Sequence, residues 1–378
     1  FFKQKTAYEM LRSLVGSEMC IRDRPELSRE QVLQALRDVE DPELRRSIVD
    51  LDMVRDVRVQ DGHVRVEAVL TIGGCPLREV ILQSIRDRVA RLPGVRSVDV
   101  HLGVMSPEER QALIAKLRGA EGSATSPFLG PHSSVRVLAV ASGKGGVGKS
   151  TVTANLAVAL AEAGSRVGVL DADVYGFSIP RMLGIAGRPT VIDQMIIPLE
   201  RWGVRAVSMG MLVDRDEAVI WRGPMLHKAL ITFITEVHWG DVDTLLLDLP
   251  PGTGDVSITV AQQLPRAEML VVTTPQQAAV EVAARAARMA EKVNLKVAGV
   301  IENMSYLEGP EPVAVFGEGG GQALADRLGV PLLARIPLDP RICEAGDAGE
   351  PVVVRYPDSA GARAFREAAR RVRAARVS

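Results

Sequence analysis

Residues 143–151 (GKGGVGKST) constrain this chain more than any other stretch. They satisfy G-x-x-x-x-G-K-[S/T] and stand between an apolar run, Val135 to Ala141, and a helical pattern from Thr151 to Ala163 that stops at Gly164. Strand, glycine loop and helix in that order make a phosphate cradle. Gly143, Gly145, Gly146 and Gly148, with Val147 among them, let backbone N–H groups turn onto an anion, and the helix start adds partial positive charge. Lys149 is expected to reach the β- and γ-phosphates of a nucleotide and the Ser150 hydroxyl to bind Mg2+, with Thr151 completing the nucleotide-binding stretch. A second lysine, Lys144, occupies a position that the plain motif leaves open. A cation so near Lys149 must be held off it or aimed at another nucleotide.

Beyond residue 135 apolar runs alternate with helical patterns, the strands being Val167 to Leu170, Thr244 to Leu247, Met269 to Thr274 and Val297 to Ile301. Such alternation predicts an α/β fold, a mostly parallel sheet with helices on both faces. Two strands run into acids: Asp171-Ala172-Asp173, and Asp248 followed by LPPGTGD. These carboxylates leave the sheet at its carboxyl end, where ligands bind in folds of this kind. Asp248 ends an apolar strand in the manner that sets a carboxylate against Mg2+. The Pro250-Pro251-Gly252 that follows can move as a switch when a γ-phosphate is present.

A small α+β domain, residues 25–118, precedes this pattern. It holds a helix opened by Ser28 with Glu30 nearby, strands over 54–59 and 63–70 around an Asp61-Gly62 turn, a helix over 76–92, a strand over 95–102 and a helix over 106–117. Residues 119–134 (GAEGSATSPFLGPHSS) read as a flexible linker, which leaves 135–378 as the P-loop ATPase domain. The first 24 residues look foreign: Ser13 to Asp23 (SLVGSEMCIRD) back-translates into a transposon-type sequencing adapter, and Cys20 goes with it. No apolar core of a signal peptide is present there.

Forty-six Lys and Arg against forty-seven Asp and Glu leave a formal charge of -1, so no global basic field points to nucleic acid. No apolar run reaches the roughly 18 residues of a membrane span. With Cys20 set aside, Cys75 and Cys343 are too few for a disulfide framework and fit a reducing cytoplasm. The expectation is a cytoplasmic protein with neither DNA nor membrane as partner. The tail from Ser359 to Val377 is rich in arginine and poor in bulky apolar side chains, which predicts a solvated helix face. Cys343, in a segment flanked by Pro340 and Gly349, reads as structural.

The loop with its extra lysine resembles the deviant phosphate loop K-G-G-x-G-K-[S/T] of the MinD/ParA/Mrp class. Trp221-Arg222-Gly223-Pro224-Met225, Asp248 to Asp255, Thr274-Pro275-Gln276 and Glu302-Asn303-Met304-Ser305 narrow the resemblance to the Mrp/ApbC iron-sulfur carrier ATPases, over essentially all of 25–373. Asp41-Pro42-Glu43 and residues 71–76 (TIGGCP) resemble the iron-sulfur-assembly domain often fused ahead of them. The resemblance implies an ATP-binding homodimer that hydrolyses ATP and passes iron-sulfur clusters to apo-proteins, working with assembly factors. It implies that Lys144 crosses to the partner's ATP and that Asp171 and Asp248 arrange the Mg2+ shell with Ser150. Asp173 would place the attacking water, and Asn303 would recognise adenine, its alternative being a turn residue. Lys144, Lys149 and Asp173 are then the catalytic set.

Where the family usually carries Cys-Pro-x-Cys, this chain reads Gly309-Pro310-Glu311-Pro312. A [4Fe-4S] cluster suits four thiolates, and that turn supplies none. Cys75, where a strand meets a helix, is either a thiol exposed and acidified by the helix dipole, and so the candidate cluster ligand, or a small buried apolar residue. Asp41 is expected to serve a turn or cap. Two other readings share the loop: a ParA/MinD-like positioning ATPase, and an ATP-dependent scaffold that holds no cluster itself.

Overall fold

A computed structural model of the chain describes residues 27–74, 77–118, 128, 133–173, 176–211, 223–252 and 255–375. Cys75, most of the 119–134 stretch, the adapter-like residues 1–24, Trp221-Arg222 and Thr253-Gly254 lie outside the described residues. The chain divides into two compact units after Lys116.

In the first unit, helix α1 (Arg29–Leu36) starts where Ser28 Oγ accepts from the Gln31 N–H and Gln31 Oε1 accepts from the Ser28 N–H. The reciprocal partner is Gln31, at the third helical position where a side chain can turn back to the cap, and not Glu30. A short antiparallel pair follows, β1 (Glu40–Asp41) with β2 (Arg46–Ser47). Asp41 Oδ1 accepts from the N–H groups of Glu43 and Leu44 at 2.9 Å each, so it holds a turn, as its sequence context implied. Burial raises its pKa against those two bonds. Strands β3 (Val54–Gln60), β4 (His63–Leu70) and β5 (Ser97–Val104) form one sheet in that order, β3 and β4 antiparallel around Asp61-Gly62 and β4 and β5 parallel. The parallel crossover is made by α2 (Arg78–Ala90), which buries Ile81, Ile85 and Val89 at four-residue spacing, and α3 (Pro107–Arg118) ends this segment.

The second unit begins its sheet with β6 (Arg136–Ser142), followed by α4 (Lys149–Glu162), β7 (Val167–Asp171) and the short α5 (Ile179–Met182). A small hairpin, β8 (Thr190–Ile192) with β9 (Met195–Ile197), leads into β10 (Leu199–Arg201) and β11 (Val204–Ser208). Then come α6 (Gly223–Glu236), β12 (Thr244–Asp248), α7 (Asp255–Gln263), β13 (Glu268–Thr273), α8 (Gln277–Lys292), β14 (Lys296–Glu302), α9 (Gly320–Leu328) and β15 (Leu332–Arg335). The chain closes with α10 (Pro340–Asp347), α11 (Val352–Arg355) and α12 (Ala360–Ala374). Strand order is β10-β11-β7-β12-β6-β13-β14-β15, parallel throughout except at the β10–β11 edge. The expected mostly parallel α/β sheet is therefore present.

Successive residues of a strand point to opposite faces, and the two core layers follow from that. Val137, Ala139 and Ala141 of β6, with Leu245 and Leu247 of β12, pack with Phe233, Trp239, Val260 and Ala283. Leu138, Val140 and Leu246 face the other layer, with Leu156, Ile342 and Phe365. Phe128, within the stretch expected to be a linker, is buried and meets the Trp239 ring edge-on at 6.0 Å between centroids. A large aromatic side chain gains more from burial than the small residues that make up most of this stretch.

The tail helix goes beyond expectation. Arg363, Arg370, Arg371 and Arg373 do form the expected solvated face, but the opposite face of α12 buries Gly361, Ala362, Phe365, Ala368, Ala369 and Val372 against the layer that contains α4. Its small residues let the helices approach closely, which a search for bulky apolar residues overlooks. Its arginines dock it at the rim: Arg366 donates to Glu162 at 2.8 Å and to the Val353 carbonyl at 2.9 Å. Arg136, at the start of β6, donates to the carbonyls of Val372 and Ala375 at the end of α12. Cys343 is exposed on α10, its Sγ 3.9 Å from Asp347 Oδ2, and not a buried structural residue, because α10 turns Ile342 and Ala345 inward instead. Among the described residues no helix is long and apolar enough to cross a membrane.

Candidate nucleotide and metal site

The loop 143–148 joins β6, at the centre of the sheet, to α4. Gly148 occupies the N-cap position of α4 in the left-handed conformation, φ 81°, and no side chain caps the helix. The first N–H groups of α4 are thus left to a ligand, and the helix dipole favours an anionic one. A Cβ on Gly148 would stand 2.2 Å from Asn303 Nδ2. Asn303, buried at the carboxyl end of β14, donates from that nitrogen to the Val147 carbonyl at 2.9 Å, so it ties the loop to the strand two places away in the sheet. At its other end the loop rests on α8: a Cβ on Gly143 would lie 2.4 Å from Ala283 N.

Beneath the loop the sheet order places β12 between β7 and β6, with Asp248 in register with Asp171 on one side and Val140 on the other. Residues far apart in sequence meet there. Lys149 Nζ lies 2.7 Å from Asp248 Oδ2 and 3.8 Å from Asp173 Oδ2, and it donates to Ser150 Oγ at 3.1 Å. Ser150 Oγ donates to Asp248 Oδ2 at 2.6 Å, and Thr153 Oγ1 donates to Asp248 Oδ1 at 2.7 Å. Asp248 is fully buried, and Lys149 is 6% exposed. A charge so buried is sustained by pairing and hydrogen bonds.

Asp171 is also fully buried. Its Oδ2 accepts from Ser178 N, Ile179 N and Ser208 Oγ, and its Oδ1 from Asp173 N. Burial first, then the neighbouring Asp248 charge, raise its pKa to about 7, while the Asp173 N–H, Lys149 and Ser208 act in the opposite direction. Asp173 Oδ1 accepts from Gly176 N at 3.1 Å. The donor set fits Mg2+, a hard cation that takes oxygen ligands and one or two carboxylates: a serine hydroxyl and two carboxylates at the ends of adjacent strands, whose mutual repulsion a divalent cation offsets. Thr153 and Ser208 were not singled out from sequence. Thr153 was within reach of it, since it lies one turn beyond Lys149 on α4, whereas Ser208 meets Asp171 only because β11 pairs with β7.

Lys144 Nζ donates to Gln276 Oε1 of the same chain at 3.3 Å, and Ser142 Oγ donates to the Lys144 carbonyl at 3.1 Å. Residues 309–312, where the resemblance leads one to look for thiols, form the tip of a turn closed by mutual backbone hydrogen bonds between Leu307 and Val313. Among the described residues no three His, Cys, Asp or Glu side chains converge as a metal-binding group.

Two family models match the chain. One, described as a NUBPL iron-transfer P-loop NTPase, spans residues 134–373, and the other, an iron-sulfur cluster assembly protein, spans 29–101. The chain is 52% identical to an iron-sulfur cluster carrier protein of Mycobacterium tuberculosis, over 86% of this chain and 88% of that one. It is 44% identical to an iron-sulfur cluster carrier protein of Bacillus subtilis, over 82% and 88%. A nucleotide-binding protein from Archaeoglobus fulgidus, solved in complex with ADP, is 39% identical over 57% of this chain and 86% of that one, with a TM-score of 0.49. With the phosphate loop, its strand-end carboxylates and the preceding assembly-type unit all in place, this chain belongs to the iron-sulfur cluster carrier family of P-loop NTPases.

Proposed function

We propose that the chain binds ATP with Mg2+ in the 143–151 loop, hydrolyses it as a homodimer, and uses the cycle to bind iron-sulfur clusters and pass them to apo-proteins. The observation that carries the nucleotide part is the meeting of Lys149, Ser150 and Asp248 in one buried hydrogen-bonded group under an uncapped helix start. Loop N–H groups and Lys149 hold the phosphates. Mg2+, held by Ser150 with Asp248 and Asp171, would neutralise charge on the leaving phosphate oxygens. Asp173 places the attacking water, Lys144 stabilises charge on the partner's nucleotide, and Asn303, which also ties the loop to β14 through the Val147 carbonyl, recognises adenine. Phosphoryl transfer depends chiefly on such positioning and charge stabilisation.

Phosphate release from the purified full chain tests this. Asp248→Asn is expected to lower Mg2+-dependent turnover about 100-fold or more. Turnover at the parental rate would overturn the assignment. For the cargo, anaerobic reconstitution with iron and sulfide counted per dimer, beside Cys75→Ser, decides between two readings. A cluster lost in the variant places the cargo on the first unit. No cluster in either chain, with hydrolysis intact, leaves the scaffold reading, which the thiol-free 309–312 turn favours.

A further inference from the structure

Gln276 stands in the N-cap position of α8, with φ −57° and ψ 130°, yet its side chain caps none of that helix's N–H groups. Its carboxamide oxygen instead accepts from Lys144, across 132 residues of sequence. This is a poor resting place for a cation. The start of α8 carries partial positive charge, and the acceptor is neutral, 3.3 Å away and only half-buried. Just ahead of it, Thr274 Oγ1 is the single side-chain polar atom among the described residues that is buried with no hydrogen-bond partner. The turn from β13 into α8 is therefore not pinned by that hydroxyl.

We infer that Gln276 is a positioning residue that parks Lys144 inside its own chain until the phosphates of a second copy's nucleotide draw it away. The inference rests on the reading that Lys144 acts on the partner's nucleotide. The Gln276 carboxamide offers the ammonium only a dipole, whereas a phosphate oxygen offers it a full opposite charge and so a stronger attraction. A partner bearing nucleotide therefore wins the ammonium, and a partner without one does not. Parking lowers the fraction of chains ready to close and, because both copies must release the lysine, raises the apparent dissociation constant of the dimer by the square of that factor. Gln276 thus makes dimer closure conditional on nucleotide.

The test is sedimentation velocity of the full chain with ATP and Mg2+, alongside steady-state phosphate release, for Gln276→Ala, Gln276→Glu and Lys144→Ala, singly and combined. Gln276→Ala is expected to tighten the ATP-dependent dimer about ten- to hundredfold, the worth of one modest hydrogen bond in each of its two chains. Gln276→Glu offers Lys144 a charged acceptor and is expected to weaken that dimer about tenfold and to lower kcat, with KM for ATP changed less than about twofold. In the Lys144→Ala background neither change at Gln276 has any effect. If Lys144→Ala lowers turnover while both Gln276 variants match the parent, the parking role is refuted and the trans-acting lysine stands. If Lys144→Ala itself dimerises and turns over like the parent, both are refuted. Effects of Gln276 that persist without Lys144 would assign them to the start of α8 and also overturn the inference.

Discussion

Of two glycines of the phosphate loop, two residues apart, one is expected to resist an added methyl group and the other to accept it. At Gly143 an ideal Cβ would lie 2.4 Å from Ala283 N, 2.5 Å from Val282 C and 2.9 Å from Ala283 Cα. All three are backbone atoms of α8, so no rotamer change relieves the overlap. Ordinary carbon contacts begin near 3.5 Å, so the loop and the helix must separate by about 1 Å. That helix sits close because its buried face is alanine throughout, at 279, 283, 284, 286, 287 and 290, and the separation loosens all of those contacts. Overpacking of this kind costs about 1–3 kcal/mol, and a 1 Å displacement of a phosphate-positioning loop costs about 100-fold in turnover. At Gly145 a Cβ would meet nothing within 4 Å, so Gly145→Ala stays within about 0.5 kcal/mol of the parent. Thermal unfolding of the nucleotide-free chain, followed by far-ultraviolet circular dichroism, separates the two: a fall of about 5 °C or more for Gly143→Ala against about 1 °C for Gly145→Ala. Equal midpoints would refute the claim that the loop is seated on the backbone of α8.

Asp171, raised to about 7 by burial and then by Asp248, binds its proton more tightly in the folded chain than the roughly 3.9 of an unfolded aspartate allows. Its stabilising contribution is therefore complete below about pH 4 and is lost as pH rises to about 7, at no more than about 1.4 kcal/mol per pH unit. Urea midpoints of the nucleotide-free parent and Asp171→Asn, compared near pH 5 and near pH 7.5, are expected to show this slope in the parent alone, and parallel profiles would contradict it. Phe365→Ala empties a fully buried position of α12 and is expected to cost about 3–5 kcal/mol in urea unfolding, against about 0.5 kcal/mol for the exposed Arg370→Ala. Equal losses would show that the tail helix is not docked through its apolar face.

Much of the fold is legible in the local pattern of the chain. The glycine loop, the apolar strands ending at Asp171 and Asp248, and the break between an α+β segment and a βα-alternating one are short-range features, set by backbone freedom, side-chain period and helix stops. The small-residue face of α12 escaped that reading because Gly361, Ala362, Ala368 and Ala369 gain from close approach to a partner helix, which local hydrophobicity does not register. Likewise Phe128 gains its meaning only from Trp239. The site divides in the same way. Its residue types were determined by sequence, because phosphate and Mg2+ chemistry requires them at motif spacing. Their relationships were decided by strand order: inserting β12 between β6 and β7 sets Asp248 against both Lys149 and Asp171, and this raises the pKa of Asp171. The bond from Lys144 to Gln276 and that from Asn303 to Val147 likewise join residues more than a hundred positions apart. No local propensity encodes such pairs, because they form only when the sheet has closed and the cost of bringing distant chain together has been met by burial of both its faces.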